Sequence, residues 1–126
     1  MKKPDWIIHF IPDASAIEFI ANSHTHGMER YGHIDFQVVL RVDNKEIGRL
    51  LNTLGMRVRD GERFAHGDMV KGLYQDCDVR LDSVKETGRQ VLRLIIPDQH
   101  NRFPEDPMCE LPYKHQTLEL FEGVGE

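Results

Sequence analysis

HTHGMERYGHIDFQVVLRVDNKEIGRLLNTLG, residues 24–55, joins a histidine-rich turn to the clearest strand and the clearest helix of the chain. Across residues 34–42 every second residue is apolar, which is the period of a strand with one face against a core. Val39 adds an apolar residue to the other face. This pattern predicts a central strand that is covered on both faces.

The helix follows where the apolar period changes. Ile47, Leu50, Leu51 and Leu54 recur at the spacing of one helix face. Asp43 is a candidate N-cap, with Glu46 three residues later as its partner in a capping box. We predict that the helix begins after Asp43 and ends at Gly55, because glycine is the usual C-terminal stop.

Further strands are predicted on both sides of this unit. Residues 6–11 are rich in aromatic and β-branched residues, which favours a short strand. Residues 79–84 and 90–96 are two apolar runs joined by a short turn that contains Gly88, the pattern of an antiparallel hairpin. Residues 69–74 are predicted to pair briefly with a neighbour.

The remaining segments have weaker signals. Residues 16–21 fit a helical turn or a strand, and we favour the helical turn. Residues 22–33 are polar and predict a loop. Residues 97–112 contain four prolines and predict an irregular loop, since proline lacks the backbone donor that helices and central strands need. Residues 113–121 predict a last short strand or turn.

Together these elements predict an α+β fold. We expect a mostly antiparallel sheet of about four to five strands with one principal helix packed on one face, in two layers. The length of 126 residues predicts a single domain over residues 1–126. Sheet edges left unpaired would allow a homodimer.

Composition limits the class of protein. The formal net charge is -5 and no basic run occurs, which argues against nucleic acid as a partner. No apolar run reaches the length of about 18 residues that spans a bilayer, so no membrane association is expected. Met1-Lys2-Lys3 leads into Pro4 rather than an apolar signal segment, which predicts a cytoplasmic protein. Cys77 and Cys109 stand apart, and reduced thiols are expected there.

Histidines are the one compositional excess, with seven in the chain. In an extended backbone His24 and His26 share a face and could bind one Zn²⁺ or other divalent ion. Glu29, His33 or His66 would then complete the ligand set. The alternative is a pair of solvated loop histidines without a metal.

Two further polar groups stand out. His33 and Asp35 also share a face, where a carboxylate beside an imidazole would form an acid or base pair or simply cap a strand entrance. Asp98, His100, Arg102 and Glu105 lie in the proline-rich loop. They would either brace this loop through ion pairs or use the Arg102 guanidinium to bind an anion.

Three runs and one later residue resemble a known family. The runs are GMERYGHIDFQVVL, EIGRLLNTLGMRVRDGERF and LRLIIPDQHNRFPED, and the later residue is Gln116. Over residues 22–118 they resemble the bacterial family called domain of unknown function 4262. The matching positions are Thr25, Gly27, Tyr31, Gly32, His33, Leu50, Leu51, Asn52, Val58, Gly61, Pro97, Asp98, Arg102, Phe103, Pro104 and Gln116, with Asp35 in place of the family's glutamate.

The resemblance implies no activity, because the family has none assigned. It directs attention to His33, Asp98 and Arg102 as polar residues to test. His24 and His26 occupy positions where the family usually has an aromatic and an aliphatic residue. A metal site built on them would therefore be particular to this chain.

Two classes of function follow, and the sequence does not decide whether the chain is an enzyme. The first is a non-catalytic binding or interaction module without a cofactor. It has a polar cleft near His33 and Arg102 for a small anion or a protein partner, and its binding residues are His33, Asp35, Asp98, Arg102 and Gln116. The alternative is a small hydrolase that uses a divalent metal held by His24, His26 and His33.

Overall fold

The computed structural model describes residues 5–12, 20–86 and 88–117. These residues form six strands, one α-helix and two short 3-10 helices, the latter at Met28–Tyr31 and Tyr113–Thr117. In chain order the longer elements are β1 (Ile7–Pro12), β2 (Ile20–His26), β3 (Asp35–Leu40), α1 (Asn44–Arg59), β4 (Met69–Val70), β5 (Val79–Glu86) and β6 (Arg89–Ile95).

All six strands belong to one sheet in the order β1-β2-β3-β6-β5-β4. The neighbouring pairs are antiparallel except β3 and β6, which are parallel. The predicted α+β class with one principal helix is confirmed, while the sheet has more strands than expected and is mixed. The apolar period of β3 and β6 marks both as central, but it carries no information about strand direction.

Strand β2 corrects the prediction of a polar loop at residues 22–33. Ile20–His26 pairs with β1 on one side and with β3 on the other. Its polar residues Asn22, Ser23, His24 and Thr25 are buried, so β2 lacks an apolar alternation. Other strands supply partners for Asn22, His24 and Thr25. The helical turn predicted at residues 16–21 falls mostly outside the described residues. Its last two positions lie in β2.

Helix α1 begins as predicted but ends later. The Asp43 carboxylate accepts a hydrogen bond from the Lys45 backbone N–H at 3.0 Å. Glu46 binds the Arg49 side chain instead of closing a capping box. Gly55 does not end the helix, which continues to Arg59. A Cβ at Gly55 would lie 2.5 Å from Cζ2 of Trp6. The absence of a side chain at Gly55 therefore allows the Trp6 indole to pack closely against the helix.

The core lies between α1 and one face of the sheet. Its largest members from the helix are Leu50, Leu51 and Leu54, and Phe36 and Leu92 come from the two central strands. Strand residues alternate between faces. Side chains of β3 that point away from α1 are also buried, Asp35 and Gln37 among them. The second face of the sheet, which we call the polar face, therefore buries polar side chains next to the apolar residues Val39, Val91 and Ile95.

The other segments mostly follow the predictions. Strands β5 and β6 form the expected hairpin, with Gly88 at a φ of 81° in its turn. Residues 97–112 contain no helix or strand, as predicted. Tyr113–Thr117 forms a 3-10 helix, and residues 118–121 lie outside the described part. No α-helix among the described residues is long and apolar enough to cross a membrane.

Candidate metal centre

Three imidazoles meet on the polar face of the sheet where β1 pairs with β2. His9 lies opposite His24 in the antiparallel register, and His26 follows two residues later on the same face. Each ring offers one nitrogen, and these three nitrogens lie within 4.8 Å of one another. Ring centroids are separated by 4.5 Å for His9 and His26 and by 4.9 Å for His24 and His26. The cluster extends from exposed His9 to buried His24.

The sequence identified two of these three residues. His24 and His26 were found from their spacing of two in one segment. His9 was missed because it reaches the cluster through the pairing of two strands, and strand register leaves no signal in local spacing. The structure places His33 outside this cluster.

Buried acceptors orient the ring of His24. Its Nδ1 lies 3.1 Å from Oδ1 of Asn22 and 3.5 Å from Oε1 of Glu86. Both neighbours accept hydrogen bonds, so Nδ1 donates and Nε2 keeps its lone pair. Metal-binding histidines typically have this arrangement, in which the second ring nitrogen donates to a carboxylate or carbonyl group.

A hydrogen-bonded chain extends from the cluster across the sheet. The Gln37 amide nitrogen donates to Oδ1 of Asn22 at 3.0 Å and to Oε1 of Glu86 at 2.9 Å. The Gln37 carbonyl accepts from Nε of Arg93 at 2.7 Å, and Arg93 in turn donates to the backbone carbonyl of Gln116. These contacts hold Asn22 and Glu86 in place behind His24.

Burial favours the neutral forms of His24 and His26. It lowers the pKa of His24 to about 4, with the charges of His26, Arg89 and His9 acting in the same direction. The pKa of His26 is lowered by burial and by the charges of Arg89 and His9. Near neutral pH both rings therefore carry lone pairs, which metal coordination requires.

The three nitrogens fit one transition-metal ion after a small closure. A Zn–N bond is about 2.0–2.1 Å long, so tetrahedral ligand nitrogens lie about 3.4 Å apart. The observed limit of 4.8 Å exceeds this by little more than an ångström, a distance that side-chain torsions can close. Imidazole suits zinc, copper, iron and nickel. Three protein ligands leave one coordination position for water or substrate.

Arg89 lies beside the cluster at the start of β6. Its Nη2 donates to the backbone carbonyl of Thr25, the residue between His24 and His26, at 3.2 Å. Its Nη1 donates to Oδ2 of Asp35 at 2.8 Å. The other Asp35 oxygen accepts from the Thr25 hydroxyl at 2.7 Å and from the Met28 backbone N–H. Asp35 thus anchors both Arg89 and the turn after β2.

Comparison with known proteins gives a family but no activity. The family model described as Domain of unknown function (DUF4262) matches residues 1–110. The chain belongs to the DUF4262 family. No curated protein and no solved structure matches it. The family predicted from the sequence is therefore confirmed, and the function has to be argued from the site.

In this DUF4262 chain His33 makes two contacts with the backbone. Its Nδ1 lies 2.7 Å from the carbonyl of Ile34, and its Nε2 accepts from the Phe64 N–H at 3.0 Å. The carbonyl can only accept and the N–H can only donate, so the proton is on Nδ1. The ring also stacks on Phe36. Both ring nitrogens thus tie the entrance of β3 to the segment after α1.

Asp98 organises the proline-rich loop of the DUF4262 chain. Its oxygens accept from the backbone N–H groups of His100, Arg102 and Glu110 and from Nε of Arg102, at 2.8–3.0 Å. Burial acts to raise the pKa of Asp98, but these donors together outweigh it and lower the pKa well below its usual range. The ion pair with Arg102 braces the loop, one of the two alternatives that the sequence left open.

Gln116 joins the end of the DUF4262 chain's described part to the sheet. Its side-chain carbonyl accepts from the Ile96 N–H at 2.8 Å, and its amide donates to the Ile96 carbonyl at 2.6 Å. The side chain thereby satisfies both backbone groups of the residue after β6. A role in ligand binding stays a prediction for His33, Asp35, Asp98, Arg102 and Gln116. Each of these side chains already makes hydrogen bonds within the chain.

A cavity of about 520 Å³ lies at another place in the DUF4262 chain. Its apolar walls include Leu40, Leu73 and Tyr113, and Asp76 and Asn101 contribute polar groups. Asp98 lines it, whereas His33 and Arg102 do not. The size is typical of small-molecule sites.

Proposed function

We propose that this DUF4262 protein binds one divalent transition-metal ion, with Zn²⁺ as the first candidate, and uses it for hydrolysis. The ligands are His9, His24 and His26. The observation that supports the proposal is the approach of their three ring nitrogens to within 4.8 Å of one another. His9 takes the position that the sequence had assigned to His33.

The surroundings of the cluster support a site that exchanges metal and substrate. His24 is only 4% exposed and its ring is oriented by Asn22, so one ligand is held rigidly. His9 is exposed, which gives the ion a path from solvent. A rigid buried ligand beside an accessible one is what a site needs if it is to close around an ion that enters from solvent.

Hydrolysis is the reaction class that fits three neutral ligands and an open position. Zinc enzymes with three histidine ligands lower the pKa of water in the fourth position to about 7, which supplies a nucleophile at neutral pH. Glu86 lies behind His24, where it can stabilise positive charge that develops on the ligand. The proposal therefore needs no nucleophilic side chain.

The test is metal analysis of protein purified without a histidine tag. We expect about one equivalent of zinc in the native chain and a rise in melting temperature when Zn²⁺ is added to the chelator-treated protein. His9→Ala should lose both, because it removes one of three ligands. His9 is exposed, so this variant should fold.

His100→Ala is the matched control. His100 is also exposed and lies outside the cluster, where its side chain approaches Glu110 only at 4.0 Å. It should retain the metal and the melting shift. Zinc uptake that survives His9→Ala, or that falls equally in both variants, would contradict the proposal.

The cavity supports a second candidate function, binding of a small molecule without catalysis. Its volume of about 520 Å³ and its mixed apolar and polar lining suit a ligand with an apolar body and a few hydrogen-bonding groups. This candidate keeps the predicted binding module but moves its cleft away from His33 and Arg102. A fragment screen by amide NMR should give shifts clustered in residues 73–77 and 96–101, and a screen with no such cluster would contradict it.

A further inference from the structure

We propose that the metal centre binds an oxyanion, a carboxylate or phosphate group, as a fifth ligand beside the water in its fourth position, and that Arg89 binds the same group. This inference rests on the proposed metal site and names the class of substrate that the site takes. It follows from the charges around the cluster and from the position of one guanidinium group.

The charge balance of the polar face calls for an anion once metal is bound. Among the described residues, the network that surrounds His24 contains two arginines, Arg89 and Arg93, together with the carboxylates of Asp35 and Glu86. Imidazoles that coordinate a metal ion are neutral, so the three ligands add no charge. A divalent ion would add an excess of two positive charges to this largely buried region. An anionic ligand offsets part of this excess, and a neutral ligand offsets none.

Arg89 is held at the edge of the cluster by three fixed contacts. Its guanidinium group binds the Thr25 carbonyl at 3.2 Å, the Asp35 carboxylate at 2.8 Å and the Glu86 carboxylate at 3.4 Å. Glu86 also approaches the ring of His24. Thr25 is the residue between two of the metal ligands. The guanidinium group therefore forms hydrogen bonds with the Thr25 backbone, which joins two of the ligands, and with the Glu86 carboxylate, which lies near Nδ1 of His24.

Arg89 retains donors for a ligand. Its contacts use both hydrogens of Nη2 and one hydrogen of Nη1. Among the described residues no partner occurs for Nε–H or for the second Nη1 hydrogen. The side chain is 29% exposed, so a ligand from solvent can reach it. These two donors point in different directions, so each can donate one charge-assisted hydrogen bond to a carboxylate or phosphate oxygen.

The test uses the Co²⁺ form of the full chain, whose visible absorption reports the coordination of the ion. Methylphosphonate and acetate are titrated separately, with sodium chloride at matched ionic strength as the control. We expect at least one oxyanion to change the spectrum with saturation, and chloride to have no such effect. A response to methylphosphonate alone would identify phosphate compounds, and a response to acetate alone would identify carboxylates.

Two variants test the role of Arg89. Arg89→Gln should bind Co²⁺ but require at least about tenfold more oxyanion for half-saturation, because the charge and the guanidinium donors are both lost. Arg89→Lys keeps the charge and a partner for Asp35, so it remains informative where the glutamine variant fails to fold. It should weaken oxyanion binding several-fold.

The outcomes separate this inference from the proposal on which it rests. A chain without a Co²⁺ spectrum would overturn the metal site itself. A normal Co²⁺ spectrum that neither oxyanion alters would leave the metal site standing and overturn the oxyanion inference. Unchanged oxyanion affinity in a folded Arg89→Gln or Arg89→Lys variant would remove Arg89 from the site.

Discussion

His9 and His24 face each other across two strands, yet they have different surroundings. His24 is buried and its Nδ1 lies near Asn22 and Glu86, whereas His9 is exposed on β1. A substitution at His24 would disturb a buried network as well as remove a ligand. A substitution at His9 removes mainly the ligand, which makes His9 the better position for testing metal binding.

The depressed pKa of His24 predicts a loss of stability in mild acid. In the unfolded chain this imidazole titrates near 6.5, whereas in the folded chain burial lowers its pKa to about 4. Its contribution to the free energy of unfolding is thus present above the unfolded value and is lost as pH falls toward the folded value. Between about pH 7.5 and pH 5 we expect a loss on the order of 1–2 kcal/mol from this residue.

Urea denaturation with a chelator present measures this effect. The chelator is needed because bound metal would itself stabilise the folded chain. His24→Gln should show a smaller loss between the two pH values than the native chain, and His100→Gln should show the native loss. Equal losses in the native chain and in His24→Gln would mean that His24 is not the group responsible.

Among the elements, α1 illustrates how one residue type can give a misleading signal. Gly55 stands where a helix terminator is expected, yet it lies in the helix and contacts the Trp6 indole. The sequence alone does not distinguish a glycine that ends a helix from one that leaves room for a neighbouring aromatic ring. Only the position of Trp6, which arrives from a distant segment, distinguishes them.

Gly55→Ala is therefore expected to destabilise the chain. The added methyl group would lie 2.5 Å from one indole carbon and 2.7 Å from another, so the indole or the helix must move. We expect a loss of about 1–3 kcal/mol in the free energy of unfolding.

Gly48→Ala is the matched control in the same helix. Nothing lies within 4 Å of a Cβ at Gly48, so alanine there should stabilise the helix by about 0.5–1 kcal/mol. Thermal or urea denaturation of both variants gives the comparison. A gain in stability for both would contradict the close contact with Trp6.

The strands show what a local pattern can and cannot predict. β1, β3, β5 and β6 were found because their apolar residues form runs or alternate. β2 was missed because its buried side chains are polar, and their partners, such as Gln37 for Asn22, come from another strand. His9 was missed as a site residue for a similar reason, because it meets His24 only through the pairing of two strands.

At the scale of the whole molecule, metal binding would affect the edge of the sheet at which β1 lies. Among the described strands, β1 lies at one edge of the sheet and pairs with β2. A metal ion held by His9, His24 and His26 would link these two strands through their side chains. The edge of the sheet should then open less often.

Hydrogen exchange should detect this link. We expect the backbone amides of β2 that bond to β1 to exchange more slowly when Zn²⁺ is added, and those of β5 to change less. In His9→Ala the zinc effect should disappear. Uniform slowing across the sheet in both proteins would point to metal binding elsewhere.

The parallel pairing of β3 and β6 also bears on how the chain folds as it is synthesised. Asp35 pairs with Val91, so the middle of the sheet joins segments far apart in the chain. The first three strands can pair with one another as they leave the ribosome, but one side of β3 stays open until β6 emerges. During that interval the nascent chain carries an unpaired apolar edge. Folding rate and losses to aggregation should therefore depend on how quickly residues 41–95 are completed, because contacts across long separations form slowly.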